Sequence, residues 1–367
     1  MLNTKILMAG GLLCLALATV VSRCAAQSTP TPQRTLLALS KTDHTLALVD
    51  PVSLNVIARL PVGTDPHEVI ASSDGTRAYV TIYGGGSLHE LDILDLVGQK
   101  ALPSYDTKPL LGPHGLDFVG GKVWYTAEGS KAIGRFDPAT GQTDWVMGTG
   151  QDRTHMIYVT PDGKRVYTTN VASGTVSILV DTMIRMRMGP PPGAPGGGQP
   201  GPPPGNMPSP GQGPRPHEDW SETIIPVSRG SEGFDVSPDG KELWTAASDD
   251  GTIAIIDVWA KRKVATLQAN VRGANRLKFT PDGRLVFVTS LRTGDLAIFD
   301  ARTRKAVKRL KLGHGAAGIL MDPVGGRAFV ACSADNYIAI VDLKALEVTG
   351  RLDVGGVPDG LAWAERK

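Results

Sequence analysis

The 367-residue chain carries 44 glycines and 27 prolines and is 20% charged, a composition that suits many short strands joined by tight turns. Its 38 Lys and Arg stand against 36 Asp and Glu. The first 26 residues hold Lys5 and Arg23 and no acid, so without them the formal charge falls from +2 to zero, which gives no global field for nucleic acid or an anionic membrane.

In chain order, Lys5 precedes an apolar run from Ile6 to Val21, and Cys24-Ala25-Ala26 offers small residues for cleavage before Gln27. Residues 1–26 therefore read as a secretory signal peptide, with 27–34 as a linker and a periplasmic or secreted destination. A lipid-anchored start at Cys24 is disfavoured by Arg23, which stands where a small residue is wanted. Cys332 is then the single remaining cysteine, so no intrachain disulfide is expected. No later apolar run has the length of a membrane span.

From residue 35 to 364 the sequence is a series of imperfect copies of one unit, best seen from His155 to Asp181. Met156 to Val159 and Arg165 to Thr169 flank the turn Pro161-Asp162-Gly163, and a third alternating run follows Ala172-Ser173-Gly174. This is the pattern of an antiparallel meander. Copies begin at His67, His114, His155, Glu232, Asn275 and Ala317, about 41 to 47 residues apart except across one insertion. That period predicts a β-propeller of four-stranded blades. The first copy, from Thr35, lacks an opening strand, and Asp359 to Ala364 supplies one, so six internal blades and a composite blade close a seven-bladed, all-β ring.

SPDGKELWTAASDDGTIAIIDV, TPDGKRVYTTNVASGTVSILVDT and TPDGRLVFVTSLRTGDLAIFDA resemble the YVTN-type propeller repeats of exported bacterial and archaeal proteins. The resemblance implies the fold and leaves the activity open. Residues 183–219, rich in Pro and Gly, interrupt the fourth copy and are expected to form a solvated insertion on the face of the Pro-Asp-Gly turns. The Met-Arg tract that opens it, Met183 to Met188, is the alternative: a soft metal-binding or partner-docking segment.

Aligning the copies places Asp359, His67, His114, His155, Glu232, Asn275 and Ala317 at the start of the innermost strands, on the opposite, top face. The ends of the second strands, Ser40, Ile82, Glu128, Asn170, Ala247, Ser290 and Cys332, share that face. Three readings follow. The polar ring simply hydrates a channel mouth; or His67, His114 and His155, with Glu232 or Asp359 as carboxylate, hold a divalent metal ion; or a His114–Glu128 pair facing across its hairpin does acid–base chemistry beside His67. His44 and His314 add imidazoles nearby. The third blade, GPHGLDFVGGKVWYTAEGSKAIGRFDPATGQ, resembles the streptogramin (virginiamycin B) lyases, propellers that open a cyclic depsipeptide with top-face histidines, a glutamate and magnesium. That resemblance implies catalytic roles for His114 and Glu128, with His67 as the preceding blade's histidine.

Cys332 reads as a small buried residue, and the aspartates ending the third strands as turn formers. The expectation is thus a monomeric exported propeller that binds a small molecule, metal ion or protein partner through His67, His114, His155, Glu232, Asn275 and Asp359, without nucleic acid. The alternatives are a lyase-like or lactonase-like enzyme and a structural cell-envelope protein.

Overall fold

The computed structural model describes residues 29–184 and 217–367. The expected signal peptide and residues 185–216 of the insertion lie outside the described residues. Seven sheets of four antiparallel strands follow one another around a ring. The composite blade is real: Pro358–Glu365 pairs with Arg34–Ser40, bringing Leu36 opposite Trp363 and Thr35 opposite Ala364. Each end of the chain thereby completes the other's sheet and leaves no open blade edge at the seam.

The turn chemistry is local and repeated. In the Pro-Asp-Gly turns, Thr160, Ser237 and Thr280 donate their hydroxyls to Asp162, Asp239 and Asp282 at 2.6, 2.7 and 2.7 Å. The following Gly163, Gly240 and Gly283 take φ of 69°, 69° and 70°, the left-handed region that only glycine adopts without strain. The aspartates ending the third strands also cap turns: Asp50, Asp137, Asp257 and Asp342 accept N–H groups two residues on, at 2.8 to 3.0 Å. Asp95 does the same in blade two. Asp181 is the exception, because its strand continues to Ile184, pairing with His217–Pro226, so both described ends of the insertion are strand.

Tyr79, Trp124, Tyr167, Trp244, Phe287 and Phe329, which recur on second strands, are all buried between blades, and Cys332 is buried and free. Some blade-to-blade contacts are polar. Asp117, on the innermost strand of blade three, accepts the Val159 N–H of blade four at 2.7 Å, and Asp235 of blade five accepts the Phe279 N–H of blade six at 2.9 Å. Burial pushes the Asp117 carboxyl up to about 6 against its bonds from the Val159 and Phe118 N–H groups.

A raised carboxyl favours the fold while protonated, so its contribution is complete below the unfolded value and lost as the pH rises through about 6. Asp117→Asn keeps one acceptor and cannot ionise. Relative to this variant, the parent should lose about 2–3 kcal/mol of unfolding free energy between pH 4 and 6.5. Urea titrations across that range check this, and parallel pH profiles for the two proteins would refute it.

Candidate functional site

The ring residues sit in breaks of the ladder. Pairing between the first and second strands slips between Pro66 and Val69, Pro113 and Leu116, Thr154 and Ile157, and Ala274 and Leu277. A buried second-strand threonine fills each gap: Thr81, Thr126, Thr169 and Thr289 accept the N–H of Glu68, Gly115, Met156 and Arg276 at 3.1, 2.8, 3.4 and 3.0 Å. The same hydroxyls donate to the ring carbonyl of the next blade, at His114 (2.9 Å), His155 (2.5 Å), Glu232 (2.6 Å) and Ala317 (2.7 Å). One hydroxyl thus closes the bulge in its own blade and fixes the height of the neighbour's ring residue.

Where the second strand carries Leu39, Ala246 or Ala331 instead, the residue after the ring position is Gly360, Gly233 or Gly318. There the next blade's ring carbonyl comes so near that a Cβ would stand 2.5, 2.4 or 2.3 Å from the oxygen of His67, Asn275 or Asp359. Threonine bridge and glycine close approach, which blade three combines in Thr126 and Gly115, bring seven strand starts to one level.

All seven ring residues line one cavity of about 240 Å³ at the top of the channel. Its floor is closed one residue below. Arg276 of blade six, 7% exposed, reaches across to the carboxylate of Glu68 in blade two, so an ion pair plugs the channel. On one side the His67 ring lies 4.9 Å from that of His114, tilted by 58°, and His114 lies 3.9 Å from His155, centroid to centroid. Tyr83 packs edge-on against both His67 and His114 and donates its hydroxyl to Glu128 Oε2 at 2.5 Å.

Glu128 does not pair with His114 as expected from the sequence. Its Oε1 is bonded by His155 Nδ1 of the next blade, and Arg153 Nε approaches Oε2 at 3.4 Å. The cause is the shorter Gly120-Gly121 hairpin, which ends the second strand at Ala127, opposite Pro113. Glu128 therefore enters the 3-10 turn Glu128–Ser130 and leans toward blade four. With Nδ1 engaged by the carboxylate, the His155 ring turns Nε2 away from Glu128.

His67 also departs from its expected role as a metal ligand beside His114 and His155. The Lys41 ammonium stands 3.1 and 2.8 Å from its Nδ1 and Nε2, anchored by Asp65 at 3.1 Å and Asp359 at 3.6 Å. A neutral imidazole has one bare nitrogen, and the Lys41 ammonium is the donor held beside it. His314 lies outside the cavity, paired with Asp335 at 3.0 Å, and His44 is exposed in its loop.

Opposite, Asn275 Nδ2 donates to Glu232 Oε2 at 2.6 Å, leaving Asn275 Oδ1 as an acceptor. Three buried polar atoms of this cavity have no hydrogen-bonding partner among the described residues: His114 Nδ1, His155 Nε2 and Asn275 Oδ1. The charges around them are unequal. Lys41, Arg153 and Arg276 are paired among Asp65, Glu68, Glu128, Glu232 and Asp359, three cations against five carboxylates.

Burial pushes His67 down to about 4, with Lys41 adding to the shift against the pull of Asp359. Burial likewise holds His114 well below the usual imidazole value, reinforced by His155 and His67 beside it. For Glu128 burial acts upward, but the bond and charge of His155, the Tyr83 hydroxyl and Arg153 prevail and hold it at about 2. Burial and the bond to Glu128 raise the Tyr83 hydroxyl. His67 and His114 are therefore neutral near pH 7 and Glu128 is anionic.

Sequence reasoning missed Lys41, Tyr83, Arg153 and the Arg276–Glu68 plug. A signal for the plug existed: after the ring position stand Gly360, Glu68, Gly115, Met156, Gly233, Arg276 and Gly318, two opposite charges in a largely apolar register. Lys41, Tyr83 and Glu128 likewise share the position just after the second strand.

The fold and site define a seven-bladed propeller with a floored, histidine-walled cavity at one mouth. Residues 229–314, blades five and six, match the model of the cytochrome D1 heme domain family. No curated protein matches the sequence. Among solved structures the chain is similar to a candidate 6-phosphogluconolactonase from Bacteroides uniformis, with 16% identity and a TM-score of 0.66 over 90% of this chain and 99% of that one. It is also similar to the Kuenenia stuttgartiensis hydrazine synthase, with 17% identity and a TM-score of 0.60 over 81% of this chain and 89% of that one. A third is dihydro-heme d1 dehydrogenase NirN in complex with DHE, with 16% identity and a TM-score of 0.59 over 92% of this chain and 67% of that one. At these identities the likeness is one of fold. No helix among the described residues is long and apolar enough to cross a membrane.

The plug can be tested by stability. Arg276→Met strands the Glu68 carboxylate in the channel and should cost about 3–5 kcal/mol, whereas Arg276→Met with Glu68→Met should recover most of the loss. Equal destabilisation by the single and double variants in chemical unfolding would show that the pair is not coupled.

Proposed function

We propose that this chain is an exported, YVTN-type propeller whose top-face cavity binds a small cationic or donor-rich ligand. The single observation that carries the reading is that His114 Nδ1, His155 Nε2 and Asn275 Oδ1, all buried and without a partner among the described residues, belong to side chains lining one cavity, where the amide oxygen accepts and each ring nitrogen accepts in its unprotonated form. A buried acceptor left unmatched costs about 1–3 kcal/mol, so a donor or a cation supplied by a ligand is the natural complement. The excess of two carboxylates over cations around the ring favours the same sign of charge. A purely structural envelope role gives no reason for this arrangement.

Size narrows the ligand. Drug-sized molecules occupy cavities of about 300–1,000 Å³, and this one measures about 240 Å³. Small amines and metal ions fit. In thermal melting with methylammonium, ethylenediamine and divalent cations, at least one should raise the midpoint of the parent and leave His155→Ala and Asn275→Ala unmoved. Stabilisation by small anions and by none of these cations would overturn the reading.

A second reading draws on the Glu128–His155 bond. A carboxylate that orients an imidazole and leaves Nε2 free toward a cavity is the geometry of a general base, and it could accept a proton during elimination from, or water attack on, a cyclic ester. The pair is His155 with Glu128, in place of the His114–Glu128 pair that the lyase resemblance implies. Cyclic-ester turnover should then fall at least 100-fold in His155→Ala and in Glu128→Gln. Turnover that survives both changes excludes it.

A further inference from the structure

Resting on the cation-pocket reading, we infer that the occupant is a single late first-row transition-metal ion held by His114 and His155, with Glu128 behind His155 and His67 outside the ligand set. One ligand atom each from His114, Glu128 and His155 lies within 4.8 Å of the others, and all three residues are buried. Donors around a zinc-sized ion at about 2.0–2.1 Å stand about 3.3 Å apart, and the His114 and His155 rings lie 3.9 Å apart, centroid to centroid. The two imidazoles come from innermost strands of adjacent blades, and their carbonyls are fixed by Thr81 and Thr126. The Tyr83 hydroxyl and Arg153 hold the carboxylate that bonds His155 Nδ1. A carboxylate on the far nitrogen of a ligating histidine fixes the tautomer and raises the basicity of the ligating nitrogen.

Two observations select a metal over an organic ammonium. The place an ammonium would take beside the ring is filled by the chain's own Lys41, seated between His67, Asp65 and Asp359. What remains, toward His114 and His155, offers two imidazoles at close quarters, ligands that suit copper, nickel or zinc far better than the oxygen-seeking magnesium or calcium. The Arg276–Glu68 pair closes the channel beneath, so remaining coordination positions would be reached from the top mouth alone.

The test is titration of untagged, chelator-treated protein with Ni²⁺, Zn²⁺ and Co²⁺ by calorimetry, with Cu²⁺ electron paramagnetic resonance on the parent. One equivalent should bind, with nitrogen hyperfine structure from two imidazoles and no competition from Mg²⁺. His114→Ala and His155→Ala should each weaken binding at least 100-fold, Glu128→Gln about 10- to 100-fold, and His67→Ala only a few-fold. His114→Gln and His155→Gln, compared by circular dichroism, guard against a variant that fails to fold. No stoichiometric binding, absence of nitrogen coupling, or dependence on His67 in place of His155 overturns the inference. If metals fail while methylammonium still stabilises the parent through His155, the metal assignment alone falls; if neither binds, the cation-pocket reading falls with it.

Discussion

A threonine hydroxyl spanning two blades is the interaction on which the top of this molecule depends. Thr81, Thr126 and Thr169 occupy three consecutive interfaces, and each donates to the carbonyl of a ring residue: His114, His155 and Glu232. A strand start is ordinarily the loosest part of a sheet, because pairing ends there. Here the hydroxyl accepts from one blade and donates to the next, so a bulge that would leave polar groups unpaired becomes a fixed joint. The side chains above it inherit that rigidity, which is what a preformed site requires.

The site is organised by opposed charges at two depths. Below, Arg276 and Glu68 meet across the channel and turn an open tube into a cup. Above, Lys41 gathers Asp65 and Asp359 beside His67, while Arg153 gathers Glu128 and Glu232. The outcome divides three similar histidines into two kinds. His67 faces a cation, whereas His114 and His155 keep a nitrogen without a partner.

Much of the architecture was legible because propeller repeats declare themselves locally. Thr160-Pro161-Asp162-Gly163 makes its turn from its own atoms, and the aspartate after the third strand caps its own loop. The ring could be placed by counting from those turns, and all seven positions do line one cavity. The partner of Glu128 could not be counted, since losing residues from one hairpin moves a side chain past the strand end and toward a different blade. Nor could Lys41 be seen as the neighbour of His67, because they belong to different blades.

The sequence by itself determined the period, the turns, the closure of Pro358–Glu365 onto Arg34–Ser40 and the level at which polar residues gather, because each follows from local geometry repeated around a closed ring. Only the tertiary structure decided which of those residues touch. Contacts across a channel join residues such as Glu68 and Arg276, 208 positions apart, and depend on side-chain reach and on the charges that neighbouring blades present. That is why the fold could be read from the repeats, while the division of labour among His67, His114 and His155 appeared only when seven strands were brought to one mouth.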